Sequence, residues 1–472
     1  PIIVWMRRDF RLHDNPALKA AEETGRPVIP VFILDEVIKT FGAAPKWRLD
    51  QAIQCFQASL SNIGSRLIIR QGNALDTLAG LIKETGARSV YWSRAYDPKA
   101  ISRDKKIKLG LKSFDIEAKS FKGFLVFEPW LAKTKAGTFF KVYSPMWRAL
   151  QAISVDPEVL DVNRLQAPDK WPRSVALKTL ELCQGMGRGA KIVHEYANIG
   201  EQNAIKRLNE FLDEKIDLYK DRRDNLGEDF NSGLSENLTW GEISARKMWF
   251  AAENAKRIGL RGAEHFQKEI AWREFGYHLS YNTPQIETEN WRSEWNNFAW
   301  KGDCEDAELW RQGRTGEPLI DAAMRELYIT GKMHNRARML VASYLTKHLM
   351  IDWRVGKAWF EETLIDWDPA SNAMGWQWVA GCGPDAAPYF RIFNPQGQAE
   401  KFDGDNIYRN NYLNQGCQGS ERALSFYEAI PKSWSLSCED TYPEAIIDLK
   451  VGRERALLAY KSLKSADNEK FS

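Results

Sequence analysis

Over residues 1–127 the apolar positions fall in short runs, separated by longer stretches of helical period. The runs Ile2–Met6, Val28–Leu34, Arg66–Gln71, Ser89–Ser93 and Ile116–Phe121 are often β-branched and predict five strands. Strand–helix alternation implies a parallel, doubly wound, Rossmann-like sheet. The first helix carries its own punctuation. Asn15 suits an N-cap, Pro16 the first helical position and Gly25 the end; Gly64 and Gly86 read as similar stops. Residues 128–195 have weak periodicity and much Pro, Gly and Lys, which predicts a surface connection with local helix near Ser144–Gln151. From about Glu201, in AIKRLNEFLDEKI, apolar residues recur at three- and four-residue spacing and strand-like runs disappear. The expected order is an α/β domain (1–127), a connector (128–195) and an all-helical domain (196–472).

Composition narrows the class. A chain of 472 residues exceeds one ordinary core. Its 44% hydrophobic and 27% charged content is that of a water-soluble protein. No apolar run approaches the ~20 residues a bilayer requires, and no secretory leader precedes the first strand. A membrane partner is not expected, and the chain reads as a monomer. The six cysteines are scattered, which suggests neither a disulfide framework nor a zinc site, and a reducing, cytoplasmic setting. The net charge of +3 identifies no partner. Between Arg325 and Arg354, however, six basic residues face two acidic ones. That excess suits a phosphate-binding face as well as a solvated helix.

A doubly wound sheet invites a dinucleotide, but the first strand runs into RRDFRLHDN with no GxGxxG, which argues against a Rossmann oxidoreductase. GMGRG at Gly185–Gly189 reads as a flexible connector. The densest chemistry lies in DWDPASNAMGWQW at Asp366–Trp378, which holds two carboxylates, the amide of Asn372, and Trp376 and Trp378. No third oxygen ligand follows the aspartates at calcium-loop spacing, so no metal is expected. On residues alone, Asp366 and Asp368 read as helix caps or as partners of a cation. Trp376 and Trp378, two apart, serve opposite sides of a helix; Glu269 and Trp272 in EIAWREF share one face, as do Asn335 and Met339 in MHNRARM.

These strings, with VWMRRDFRLHDNPAL at Val4–Leu18 and PYFRIFNP at Pro388–Pro395, resemble the photolyase/cryptochrome family over nearly the whole chain, and within it the bacterial cyclobutane-dimer photolyases. The resemblance implies FAD in the helical domain. It puts Tyr219, Asn231, Ser232, Gly233, Leu234, Ser235, Arg273, Asn335, Arg338, Asp366, Asp368 and Asn372 at the cofactor. Of these, 231–235 serve the pyrophosphate, Arg338 and Asp366 form an ion pair, and Asn372 faces flavin N5. Trp376, Trp353 and Trp300 become an electron path. Damaged DNA becomes the partner, with Glu269, Trp272, Arg223, Asn335, Arg336, Met339 and Trp378 around a flipped pyrimidine dimer. Arg391 suits a phosphate or a structural role equally. Lys332 stands where a bacterial relative has tryptophan. For an antenna chromophore, Asp97 in WSRAYDPKA falls where some relatives hold methenyltetrahydrofolate. The stretch Ile286–Trp291 departs from that pattern, so a deazaflavin or no antenna stays open.

The implied activity is light-driven dimer repair. A cryptochrome photoreceptor is the nearest alternative. Plant members typically carry an acid, and animal ones often a cysteine, where this chain has Asn372, and no long tail follows the final helical pattern near Arg453–Ser462. A (6-4) photolyase, expected to be richer in histidine around the pocket, is the other alternative.

Overall fold

The computed structural model describes residues 1–385 and 390–469. Five strands form one parallel sheet: β1 (Ile2–Met6), β2 (Val28–Leu34), β3 (Ile68–Gln71), β4 (Ser89–Ser93) and β5 (Glu117–Phe121), in the order β3-β2-β1-β4-β5. Ile3 pairs with Ile29 on one side and Val90 on the other. The helices among them are α1 (Pro16–Glu22), α2 (Ala43–Asn62), α3 (Ala74–Thr85) and α4 (Pro98–Ser113). Side chains of β1 alternate between two cores, Ile2, Val4 and Met6 on one face and Ile3 and Trp5 on the other. A sheet covered on both faces makes its strands read as continuous apolar runs. Asn15 caps α1 by accepting from the Leu18 N–H at 3.1 Å, and Gly25 takes a left-handed φ of +66°.

Then follow α5 (Tyr143–Leu150), α6 (Gly189–His194), α7 (Glu201–Glu214), α8 (Tyr219–Arg222), α9 (Ser235–Trp240), α10 (Ala245–Arg257) and α11 (Ala263–Asn282). The remainder is helical: α12 (Glu305–Arg311), α13 (Pro318–Thr330), α14 (Asn335–Ser343), a π-helical turn at Tyr344–His348, α15 (Trp353–Thr363), α16 (Pro369–Ala380), α17 (Pro395–Phe402), α18 (Ile407–Tyr412), α19 (Glu421–Ala429) and α20 (Leu449–Glu469). Among the described residues no helix is long and apolar enough to cross a membrane.

Packing does not divide the chain in sequence order. One compact unit is Pro1–Gly185, Asn198–Lys220 and Asn231–Pro284; the other is Met186–Ala197, Asp221–Phe230 and Gln285–Ser472. In the first unit Trp240 belongs to the core of the sheet. Gly241 (φ +68°) follows it because any Cβ there would stand 2.0 Å from the Arg8 carbonyl. Arg48 of α2 is wholly buried and donates to Glu236 at 2.8 Å and to Glu242 at 3.0 Å.

Two expectations need correction. GMGRG is packed: a Cβ at Gly185 would meet the Ala43 Cβ at 2.8 Å, and Gly189 opens α6 against the Ala429 carbonyl at 3.1 Å. Cysteine pairing occurs as well, because Cys417 and Cys438 form a disulfide in the second unit. Their separation of 21 residues carries no motif, and only the folding back of two loops brings them together.

Candidate functional site

The second unit carries its candidate chemistry on α14, α15 and α16. Asp368 is the N-cap of α16; its carboxylate accepts from the Ser371 N–H at 2.9 Å, with Pro369 in the first helical position. The capping alternative therefore holds for this aspartate. Asp366, on the turn before it, is buried and forms an ion pair with Arg338 at 2.8 Å. Arg338 Nε also donates to the Met333 carbonyl at 2.8 Å, which fixes the guanidinium fork. The arginine stays 27% exposed, so the pair is not sealed.

Asn372 is buried in the first turn of α16. Its Nδ2 donates to the Lys357 carbonyl at 3.1 Å, while Oδ1 has no partner among the described residues. An unused acceptor inside a protein costs about 1–3 kcal/mol unless a ligand completes it.

Trp376 lies one turn beyond Asn372 on the same face. Its indole rests on Gly356, where a Cβ would meet the ring at 2.0 Å. Gly356 follows Trp353 by one turn of α15, so the two indoles occupy adjacent levels of one helix face. Trp353 is wholly buried and donates from Nε1 to Asn290 at 2.8 Å. A parallel bridge between Lys301 and Ile351 brings the chain at Trp300 beside the start of α15, with Asp352 N–H donating to the Lys301 carbonyl at 2.9 Å. Trp300 is half-buried and donates to the Thr346 carbonyl at 3.2 Å. Trp300 thus lies near the start of α15, which Trp353 opens, and Trp376 lies against Gly356 of the same helix. Trp310, edge-on to Trp376 at 6.1 Å, is a neighbour the sequence did not indicate.

Around α14, His334 caps the helix by accepting from the Arg336 N–H at Nδ1, 3.1 Å away. Burial pushes its pKa down to about 4, which keeps that nitrogen unprotonated. Asn335 is exposed, Met339 half-buried, and Arg336 pairs with Asp224 above the Phe402 ring. Arg223 is largely buried next to Asp224. Trp378 points elsewhere than Trp376 and donates to the Asp385 carbonyl at 3.0 Å. Pro388 and Tyr389 of the PYFRIFNP string lie outside the described residues. Arg391 stands 5.8 Å from the Phe393 ring.

The first unit holds the other expected residues. On α11, Trp272 stacks face to face on Tyr143, centroids 3.8 Å apart at 7°, so one indole face is already covered. Glu269 is partly exposed, one turn earlier, with His265 Nε2 at 3.7 Å. Arg273 points away from both: it donates to the Phe124 carbonyl at 3.1 Å and lies over the Phe124 ring. Tyr219 is buried against Phe211 and Phe266. In the 231–235 segment Leu234 is fully buried, Gly233 takes φ +62°, and Arg207 of α7 donates to the Gly233 carbonyl at 3.0 Å. Asn231 and Ser232 remain half-buried and Ser235 exposed.

A crevice also opens at the carboxyl ends of β1 and β4, where the strand order reverses; ligands of doubly wound sheets bind at such points. Arg8, Phe41, Tyr96, Phe124 and Trp240 line it, and so does Asp97. The Asp97 carboxylate is engaged as the N-cap of α4, accepting from Ala100 N–H at 2.9 Å.

The DNA photolyase family signature matches residues 2–168, and that of the FAD binding domain of DNA photolyase matches residues 266–462. The chain is 41% identical to a deoxyribodipyrimidine photo-lyase of Agrobacterium fabrum over 98% of both chains. The chain belongs to the DNA photolyase/cryptochrome family. The crystal structure of a bacterial class III photolyase from Agrobacterium tumefaciens superposes with a TM-score of 0.89, at 41% identity and 98% coverage of each chain. Cryptochrome-2 of Arabidopsis thaliana is 32% identical over 96% of this chain and 77% of its own.

Photolyase family membership gives the helical part an FAD-binding domain, and the residues present fit a flavin. Asn372 offers an open amide oxygen, and the Arg338–Asp366 pair can meet charge of either sign. Several supporting residues were not visible in the sequence. Gly356 seats Trp376, Asn290 orients Trp353, Tyr143 backs Trp272, Asp224 holds Arg336, and Arg207 adds a cation beside Gly233. Asp224 stands next to Arg223 in the string that begins at Tyr219, yet its partner, like those of the others, is 20 or more residues away. Only the amphipathic run of α7 placed Arg207 on a helix.

Proposed function

We propose that this chain is a light-driven deoxyribodipyrimidine photo-lyase that binds damaged DNA and splits cyclobutane pyrimidine dimers. The observation that carries this reading is Asn372. It presents a neutral, buried amide with an unused oxygen in a photolyase FAD-binding domain, at the position where signalling relatives in plants typically carry an acid. When bound, reduced FAD supplies the light-energised electron that opens the dimer; the protein supplies binding, orientation and electrostatics.

Arg338 and Asp366 hold a fixed charge pair at the cofactor, and Asn372 accepts or donates at its N5 edge. Asp368 caps α16 and so positions Asn372, while its carboxylate keeps its charge beside the cofactor. Asn231–Ser235 and Tyr219 take the pyrophosphate arm, with Arg207 as its countercharge. Glu269 bonds the edge of the flipped base through its carboxyl group, and the open face of Trp272 packs on it, its other face braced by Tyr143. Arg223, Asn335 and Arg336 meet the DNA backbone, while Met339 and Trp378 shape the cavity. Trp300, Trp353 and Trp376 pass electrons inward from a solution reductant and restore the active redox state. Arg273, bound to the Phe124 carbonyl, acts by fixing α11. The crevice at β1 and β4 takes the antenna chromophore, methenyltetrahydrofolate or a deazaflavin, which extraction of the purified protein identifies.

The test is repair of a dimer-containing oligonucleotide under blue light by protein reconstituted with FAD. A flavin-loaded, folded protein that leaves the dimer intact in light overturns the reading in favour of a photoreceptor.

A further inference from the structure

The second unit contains a cavity of about 570 Å³ that none of the functions above uses. It is walled by the start of α13, by α18 and the loop after it, by Tyr427 of α19 and by residues 436–443. Its size lies within the ~300–1,000 Å³ of small-molecule sites. Three arginines line it, Arg314, Arg325 and Arg409, against one carboxylate among the described residues, Asp440.

The arginines are not equivalent. Arg409 is paired with Asp403 at 2.9 Å, and Arg314 stands 3.9 Å from Asp440. Arg325 is only 5% exposed, yet no carboxylate lies within ion-pair distance of it among the described residues. Its Nη1 donates to Asn414 Oδ1 at 3.0 Å and weakly to the Tyr427 hydroxyl at 3.4 Å, and its Nε weakly to the Gly313 carbonyl at 3.4 Å; Phe426 covers one face at 4.8 Å. Its Nη2 makes no hydrogen bond among the described residues. A guanidinium does not shed its proton, and Asp321, its Coulombic partner one turn earlier on α13, spends its hydrogen bonds on Thr315, Gly316 and Tyr442 and leaves the fork of Arg325 unengaged by a carboxylate. The Cys417–Cys438 disulfide ties the two loops that form the rims, so the mouth is held in shape before any ligand arrives.

We propose that this cavity is a binding site for a small phosphate-bearing molecule of about mononucleotide size, with Arg325 as its principal anchor. The planar fork matches two phosphate oxygens, Arg314 adds charge at the rim, Asn410 supplies a polar contact to the rest of the molecule, and Tyr427 holds Asn414 in place by donating to its Oδ1 at 2.9 Å. Asp440 opposes the anion and sets a ceiling on affinity.

The test is titration calorimetry on the FAD-loaded protein with inorganic phosphate and, separately, AMP. Both are expected to bind, AMP more tightly, since phosphate uses only the arginines. Arg325→Met should weaken AMP by about ten- to a hundredfold while leaving the flavin spectrum and dimer repair unchanged. Asp440→Asn should tighten it, an outcome misfolding cannot imitate. No heat from either probe at millimolar concentration, or equal affinity in wild type and both variants, overturns the site. Displacement of AMP by undamaged duplex DNA would reassign these arginines to the nucleic-acid backbone and equally overturn a small-molecule site.

Discussion

At the scale of single residues, the site depends on atoms whose partners are missing or shared. Asn372 uses its amide N–H on Lys357 and leaves its oxygen open. Asn372→Asp puts a charge in that buried place, and the reduced flavin, itself anionic, is expected to reoxidise faster in air, which absorbance follows directly. Glu269→Ala is expected to lower repair per absorbed photon with dimer affinity little changed. Trp272→Ala should instead weaken dimer binding by roughly ten- to a hundredfold, because one stacking face is worth about 1–3 kcal/mol per base. Dimer affinity and quantum yield at saturating substrate separate the two, and a normal yield in the Glu269 variant would displace it from the lesion. The sequence placed Asp366, Arg338 and Asn372 through their motif. It could not tell that Asp368 caps α16 through the Ser371 N–H, because capping and ligand contact require the same residue type.

At the scale of elements, the proposed electron path depends on α15 and α16, since Gly356 is the seat on which Trp376 lies. Gly356→Ala must push the indole outward, with an overpacking cost of about 1–3 kcal/mol. It is expected to slow light-driven flavin reduction almost as much as Trp376→Phe does, while chemically pre-reduced protein still repairs. Flash photolysis of both variants, alongside Trp353→Phe and Trp300→Phe, checks this. The cap of α14 predicts an acid limit. His334 in the folded chain titrates near 4 instead of 6.5, so unfolding takes up a proton between those values. Its contribution is therefore complete above about pH 6.5 and lost as pH falls toward 4, on the order of 3 kcal/mol in all. His334→Asn keeps a capping oxygen without a titrating group and should flatten the fall of melting temperature across that window. Strands and first caps were legible because β1, β2 and β4 are buried on both faces, so their apolar runs coincide with their bounds. The edge strands β3 and β5 are less buried, and each proved shorter than its pattern by one or two residues.

At the scale of the whole molecule, chain order and packing order part company. The α/β core includes Trp240, and Arg11 of the first strand–helix loop donates to the Gly241 carbonyl at 2.9 Å. Composition signalled a change of architecture, which is real, but period and polarity carry no information on which core a distant helix joins. Trp240→Ala is expected to cost about 3–5 kcal/mol, a large share of the 5–15 kcal/mol typical of a native protein. A fragment ending at residue 197 should lack a cooperative thermal transition, and one ending at 284 should regain it; circular dichroism melts decide. The same interlacing reaches back to synthesis. A ribosome that has just released Phe121 has delivered every strand of the sheet but neither Trp240 nor the Glu236–Glu242 clamp for Arg48. At about 5–20 residues per second, the emerging sheet waits roughly 8–30 s for Pro284 to be added. Through that interval α1–α4 already cover most of both faces, and the patch later filled by Val162, Leu165, Leu180, Leu182 and Trp240 is closed only as synthesis proceeds, so the demand of this protein on cellular chaperones at that patch is set by translation speed between those two residues.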